Sequence, residues 1–126
     1  KAIKLYDQVT ALAPDHAAAW YDRGELHLSQ GDDQAARRDF EAAAALRPDH
    51  WVVHFRLAHL AGRAKDARAF EDHLTQALRN GFAFQTIVDD PTWRGWASDA
   101  VLGPVIVRLI VVYDDETLLD RLRGAP

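Results

Sequence analysis

LAPDHAAAW at residues 12–20 and LRPDHWVVH at residues 46–54 are two copies of one phrase. Pro14-Asp15-His16 returns as Pro48-Asp49-His50 after 34 residues, each time with a leucine two positions before the proline. A fixed period of that length marks a chain built from stacked supersecondary units, and every other segment takes its place from this register.

Between the two copies lies WYDRGELHLSQGD, from Trp20. Trp20, Gly24 and His27 share one face of a helix by their spacing, and Ala36, Phe40 and Ala43 share one face of the next. Gly24 and Ala36 lack bulk, so two helix backbones can approach closely, while Trp20 and Phe40 supply large apolar surfaces. Gln30 to Asp33 reads as the turn: Gly31 suits the left-handed position after a helix, and the aspartates suit capping of the next. Pro48 ends the second helix and Asp49 is placed to cap a third. The unit is a helical hairpin.

This pattern resembles the tetratricopeptide repeat family, whose 34-residue unit carries Trp, Leu-Gly and Tyr in a first helix and Ala, Phe and Pro in or after a second. Residues 17–50 match as a full repeat through Trp20, Gly24, His27, Ala36, Phe40, Ala43 and Pro48, with Arg23 where leucine is usual and His27 where tyrosine is usual. Residues 1–16 fit the second helix of a preceding partial repeat, with Ala2, Tyr6 and Val9 in the places of Ala36, Phe40 and Ala43. The chain is therefore expected to enter in mid-repeat, with further repeat upstream. Residues 51–81 read as a degenerate repeat, carrying His54, Leu57, Ala58 and Ala61 in its first helix and Phe70, Leu74 and Ala77 in its second. Phe70 takes the usual small position and Phe82 the usual proline, which predicts that these two helices splay apart.

Residues 82–126 resemble the end segment that follows some bacterial tetratricopeptide arrays, where Gly-Phe leads into short helices opened by Asp-Pro. Asp90-Pro91 is such an opening, whereas Asp99-Ala100 departs from it. A terminal repeat needs its stacking face covered, and Phe82, Phe84, Ile87, Trp93 and Trp96 are the side chains expected to cover it. VIVRLIVVY, from Val105 to Tyr113, is rich in β-branched residues yet stands in helical company, and is read as a helix. Asp114 would then cap a last short helix ending at Gly124. The resemblance thus implies one all-α domain over residues 1–126, a right-handed α-solenoid of antiparallel helix pairs with a C-terminal helical cap.

Composition narrows the function classes. A chain of 126 residues with 48% hydrophobic content is sized for one core. A net charge of -4, a pI near 5.8 and scattered arginines give no basic stripe for nucleic acid. The absence of cysteine removes disulfides and thiol chemistry and fits a reducing, cytoplasmic setting. The longest apolar run is broken by Arg108 and is far shorter than the ~20 residues that cross a bilayer, so no membrane role is expected.

Six histidines raise the question of a metal. His50 and His54 share a helix face, but His59 lies roughly 140° around from His54, so three ligands do not converge. His27 and His54 fall on the buried stripe, and His16 and His50 at helix starts, where core-edge and capping roles suffice. Asp32-Asp33, Asp89-Asp90 and Asp114-Asp115-Glu116 each precede a helix, which capping and the helix dipole explain. Ser29 and Ser98 lack a nucleophile elbow. No cofactor, metal or catalytic role is expected.

The family resemblance implies a concave groove, lined by first helices, that takes a peptide or partner protein. The outward positions are Tyr21, Asp22, Glu25, Leu28 and Ser29, then Val52, Phe55, Arg56, His59 and Arg63. Tyr21 and Phe55 would anchor apolar groups, and Arg56 and Arg63 would engage a carboxylate. Asp22 with Arg56, or Glu25 with His59, would otherwise neutralise one another as weak surface pairs. The family's carboxylate clamp for chaperone tails places lysine and asparagine where Tyr21 and Glu25 stand, which counts against that ligand. The alternative is a structural or assembly role, as a rigid spacer or by self-association through residues 105–113, with Val105, Leu109 and Val112 as contacts.

Overall fold

The computed structural model describes residues 2–113 and Leu122. Seven α-helices occupy the described residues, with no strand among them: α1 (Ala2–Leu12), α2 (Ala17–Ser29), α3 (Asp33–Leu46), α4 (Trp51–Arg63), α5 (Ala67–Arg79), α6 (Pro91–Ala97) and α7 (Gly103–Tyr113), with a 3₁₀ turn at Phe84–Ile87. The expected helix opened by Asp114 lies outside the described residues. VIVRLIVVY is helical, as part of α7.

The pairing of α2 with α3 turns on one close approach. The Phe40 ring is fully buried and lies against Gly24, where an added Cβ would stand 2.8 Å from the ring. The register carries through the hydrogen bonds: Trp20 Nε1 donates to the Pro14 carbonyl at 2.9 Å, and His54 Nε2, 34 residues on, stands 2.7 Å from the Pro48 carbonyl. The acceptor being a carbonyl, His54 holds its proton on Nε2. The turns repeat as well. Gly31 takes φ +80°, and Lys65, its counterpart, takes φ 56°. In both, the next residue's N–H closes on the helix behind it, Asp32 on His27 and Asp66 on Ala61.

Asp32, Asp66 and Asp90 cap α3, α5 and α6, each accepting from first-turn amides. Asp49 does not cap α4. His50 is the residue at that position, and the Asp49 carboxylate instead takes a hydrogen bond from Arg47 at 3.2 Å, which lowers its pKa. His16 and His50 do sit at helix starts, but neither side chain makes a capping bond.

The expected splaying of α4 and α5 does not occur; they pair as closely as α2 and α3. Phe70 is accommodated because its buried ring turns outward against Trp93 and Trp96, at centroid distances of 5.5 and 5.7 Å. α4 serves two cores. Val53, Leu57 and Leu60 join Ala36, Phe40 and Ala43, while Ala58 and Ala61 join Phe70, Leu74 and Ala77 together with Phe82, Phe84, Ile87, Trp93 and Trp96. From α7, Val105 and Leu109 are buried in this second cluster, with exposures of 2% and 5%. They are therefore not contacts for self-association. Val112 is 70% exposed, and Val111 and Tyr113 lie open beside it.

Arg23, standing where leucine was expected, is the polar knot of the N-terminal half. Its guanidinium grips Asp39 of α3 with two bonds of 2.8 and 2.7 Å, and reaches Asp7 at 2.9 Å and Thr10 at 3.1 Å on α1. It also lies 5.0 Å from the Trp20 ring centre. Asp39 is buried, so the bidentate pair raises the Arg23 pKa further and offsets the cost of burying the carboxylate.

Two outcomes follow for urea unfolding. Gly24→Ala should cost about 1–3 kcal/mol because the enclosed Phe40 ring cannot retreat, whereas Gly95→Ala, with open space around its Cβ position on α6, should gain about 0.5–1 kcal/mol. Arg23→Leu alone should cost about 3 kcal/mol by stranding Asp39, and adding Asp39→Leu should recover most of that loss. Simple additivity of the two substitutions would contradict the coupling.

Candidate functional site

The face shared by α2 and α4 gathers the groove residues. Tyr21 is half-buried, its ring 5.6 Å from Phe40 and 5.9 Å from His50. Burial raises its phenol pKa, helped by Glu25 and opposed by Arg56. Leu28 packs partly into the first core cluster, and the Ser29 hydroxyl turns back to the Leu26 carbonyl at 2.8 Å. Val52 is half-buried.

The ion pairs across this face differ from those expected. Arg56 does not meet Asp22, its counterpart one period earlier; it reaches one turn along to Glu25, Nε to Oε1 at 2.8 Å. Arg63 likewise reaches past α2 to Asp33 at the start of α3, at 3.0 Å. The two pairs tie α4 to different elements, Arg56 to α2 and Arg63 to the first residue of α3. Both arginines thus have their own counterions. Among the described residues, half-buried Asp22 makes no side-chain hydrogen bond and no ion pair.

α6 lies along the other side of α4, beside Phe55 and His59. The Phe55 ring stacks on Trp93 at 5.4 Å and 16°, and touches Phe82 at 4.8 Å. His59 rests 5.2 Å from the Trp96 ring. The approach is close enough that a methyl group on Gly62 would stand 2.6 Å from Trp96. Phe55 is therefore spent largely on internal packing, and the open stretch of the face runs from Tyr21 and Asp22 to Arg56. Asp99 behind α6 accepts from Lys65 at 2.7 Å and from the Val101 and Leu102 amides, which together hold its pKa at about 2.

The opposite face holds a second concavity. A cleft of about 810 Å³ opens between α3 and α5, lined by Glu41, His54, Leu57, His73 and Arg79 among others. Nothing in the repeat register points to it, since its width is set by how far apart successive second helices stand.

Sequence comparison gives this architecture a family. The tetratricopeptide repeat family matches residues 1–74, and the chain belongs to that family. No curated protein and no solved structure matches the chain. Repeats of this family generally mediate protein–protein interactions and are typically non-catalytic. Among the described residues, no group of three or more His, Asp or Glu side chains is arranged to hold a metal ion, and no helix is long and apolar enough to cross a membrane.

His59 supplies a pH test. Burial, then Arg63 and Arg56, lower its pKa, against the weaker pull of Asp90 and Asp33. The folded state therefore binds fewer protons than the unfolded one just below the ordinary histidine value of about 6.5. Stability is full above that value and falls as the pH drops through it. His73, lowered mainly by burial, acts in the same direction. The melting temperature should drop between pH 7.5 and pH 5.5, and His59→Asn should reduce that drop. An equal drop in the variant would show that His59 does not contribute.

Proposed function

We propose that the chain is a non-catalytic module that binds a peptide or partner protein through the face formed by α2 and α4. The observation that carries this reading is the junction of Tyr21, Glu25 and Arg56, where a half-buried aromatic ring and an ion pair lie together on first helices. An aromatic anchor among oriented polar groups is the composition that concentrates binding energy at interfaces. Family membership supports the same class of function. The cysteine-free, acidic sequence suits a cytoplasmic module with a protein partner in place of nucleic acid or membrane.

The assembly reading keeps one specific observation. Val111, Val112 and Tyr113 are exposed by 58%, 70% and 39% at the end of α7. An apolar patch of that kind suits contact with another chain.

The two readings separate in one quantitative co-purification. Glu25→Arg combined with Arg56→Glu preserves the ion pair while moving each charge across the face; Val111→Ser combined with Val112→Ser removes the α7 patch and leaves the face alone. The groove reading expects the charge-swapped chain to lose a specific partner by roughly tenfold or more and the serine variant to keep it. The reverse pattern would transfer the function to α7.

A further inference from the structure

Two corners of the molecule stand one period apart and are filled differently. In the first, a pocket of about 130 Å³ opens between Ala17 and Tyr21 of α2, Ala43 of α3 and Val53 of α4, and exposed Arg47 and His50 complete its edge. Residues 17–50 and the first turn of α4 build it entirely. Moving 34 positions along, Ala17 becomes Trp51, Tyr21 becomes Phe55, Ala43 becomes Ala77 and Arg47 becomes Gly81. There the chain fills the space itself. The Trp51 indole lies over Gly81, where an added Cβ would stand 3.3 Å from it, and its ring centre is 6.1 Å from that of Phe55 and 5.6 Å from that of Phe82. Ala17, with a methyl group in place of that indole, leaves the earlier corner open beside the Tyr21 ring.

The repeat thus carries its own example of what such a corner accepts, an aromatic ring among rings. Tyr21 and His50, with ring centres 5.9 Å apart, supply aromatic walls, and Ala43 and Val53 are buried beneath them. Tilted ring contacts, with the Arg47 guanidinium beside them, favour an aromatic guest over an aliphatic one. A cavity of about 150 Å³ holds a benzene molecule, so a phenyl ring suits this volume. We propose that the pocket takes one phenylalanine-sized aromatic side chain of the partner, in the place that Trp51 occupies one repeat later. This rests on the α2–α4 face being the binding surface, since Tyr21 belongs to both. It adds the type of side chain that the face selects and the corner that selects it.

The test is selection of displayed random twelve-residue peptides on wild type, on Ala17→Phe and on the chain carrying Glu25→Arg with Arg56→Glu. Ala17→Phe plugs the pocket from inside. Circular dichroism melts check that each chain is folded, and Ala17→Leu, a smaller plug, carries the test if Ala17→Phe is not. The expected result is a wild-type pool rich in phenylalanine or tyrosine at one position, with that preference gone on Ala17→Phe. The best wild-type peptide should lose roughly tenfold in affinity on Ala17→Phe, and as much when its aromatic residue becomes alanine. A pool that the charge swap weakens but that has no aromatic preference, or that binds Ala17→Phe unchanged, would overturn the pocket assignment while leaving the face in place. Enrichment insensitive to both the charge swap and Ala17→Phe, or none at all, would overturn the face reading and this proposal with it.

Discussion

The Phe40 ring pressed against the bare Cα of Gly24 is the contact from which the rest of the molecule follows. It sets how closely α2 and α3 approach, and that approach fixes which side chains are left to meet α4. Val53, Leu57 and Leu60 complete the layer above Phe40, and α4 can do so only because the next layer is built from its other side by Ala58 and Ala61. A repeat stack transmits geometry in this way, each hairpin acting as the floor of the next. The Arg23 network adds a directional tie at the other end. Apolar packing tolerates sliding, whereas a bidentate grip on buried Asp39 with further bonds to Asp7 and Thr10 holds α1, α2 and α3 in one register.

At the C-terminal end the same need for a covered face is met with aromatic surface. Trp93 and Trp96 on the seven-residue α6 are almost fully buried, and they contact Phe55, Phe70, His59 and each other. So short a helix has little stability by itself, and its place depends on those rings and on the Asp90 cap. The consequence for function is that α6 bounds the α2–α4 face. What it leaves uncovered on that face is the stretch around Tyr21 and the Glu25–Arg56 pair.

Much of this was legible in the sequence because the determining feature is a period. The 34-residue return of Pro-Asp-His places every helix from α1 to α5, and the small and aromatic positions within it identify the packing faces. Where one side chain reaches beyond its own helix, legibility fails. Arg23 reads as a mismatch to leucine until Asp39 is seen opposite it, since those two positions are paired only by the fold. The pairs Arg56 with Glu25 and Arg63 with Asp33 span 31 and 30 positions, short of the full period, so the register alone does not encode them. Phe55 has the spacing of a groove anchor, and only the arrival of Trp93 from a distant segment diverts it inward. Val105 and Leu109 were ambiguous for a related reason, because an apolar run has no favoured side until its neighbours are known.

Hydrogen–deuterium exchange on the chain alone and in complex with the partner recovered by co-purification tests the central claim most directly. Slowed exchange confined to the amides of α2 and α4 around Tyr21, Asp22, Glu25 and Arg56 is the predicted result. Protection centred on α3 and α5 around Glu41 and His73, or on the end of α7, would contradict the assignment of the working face.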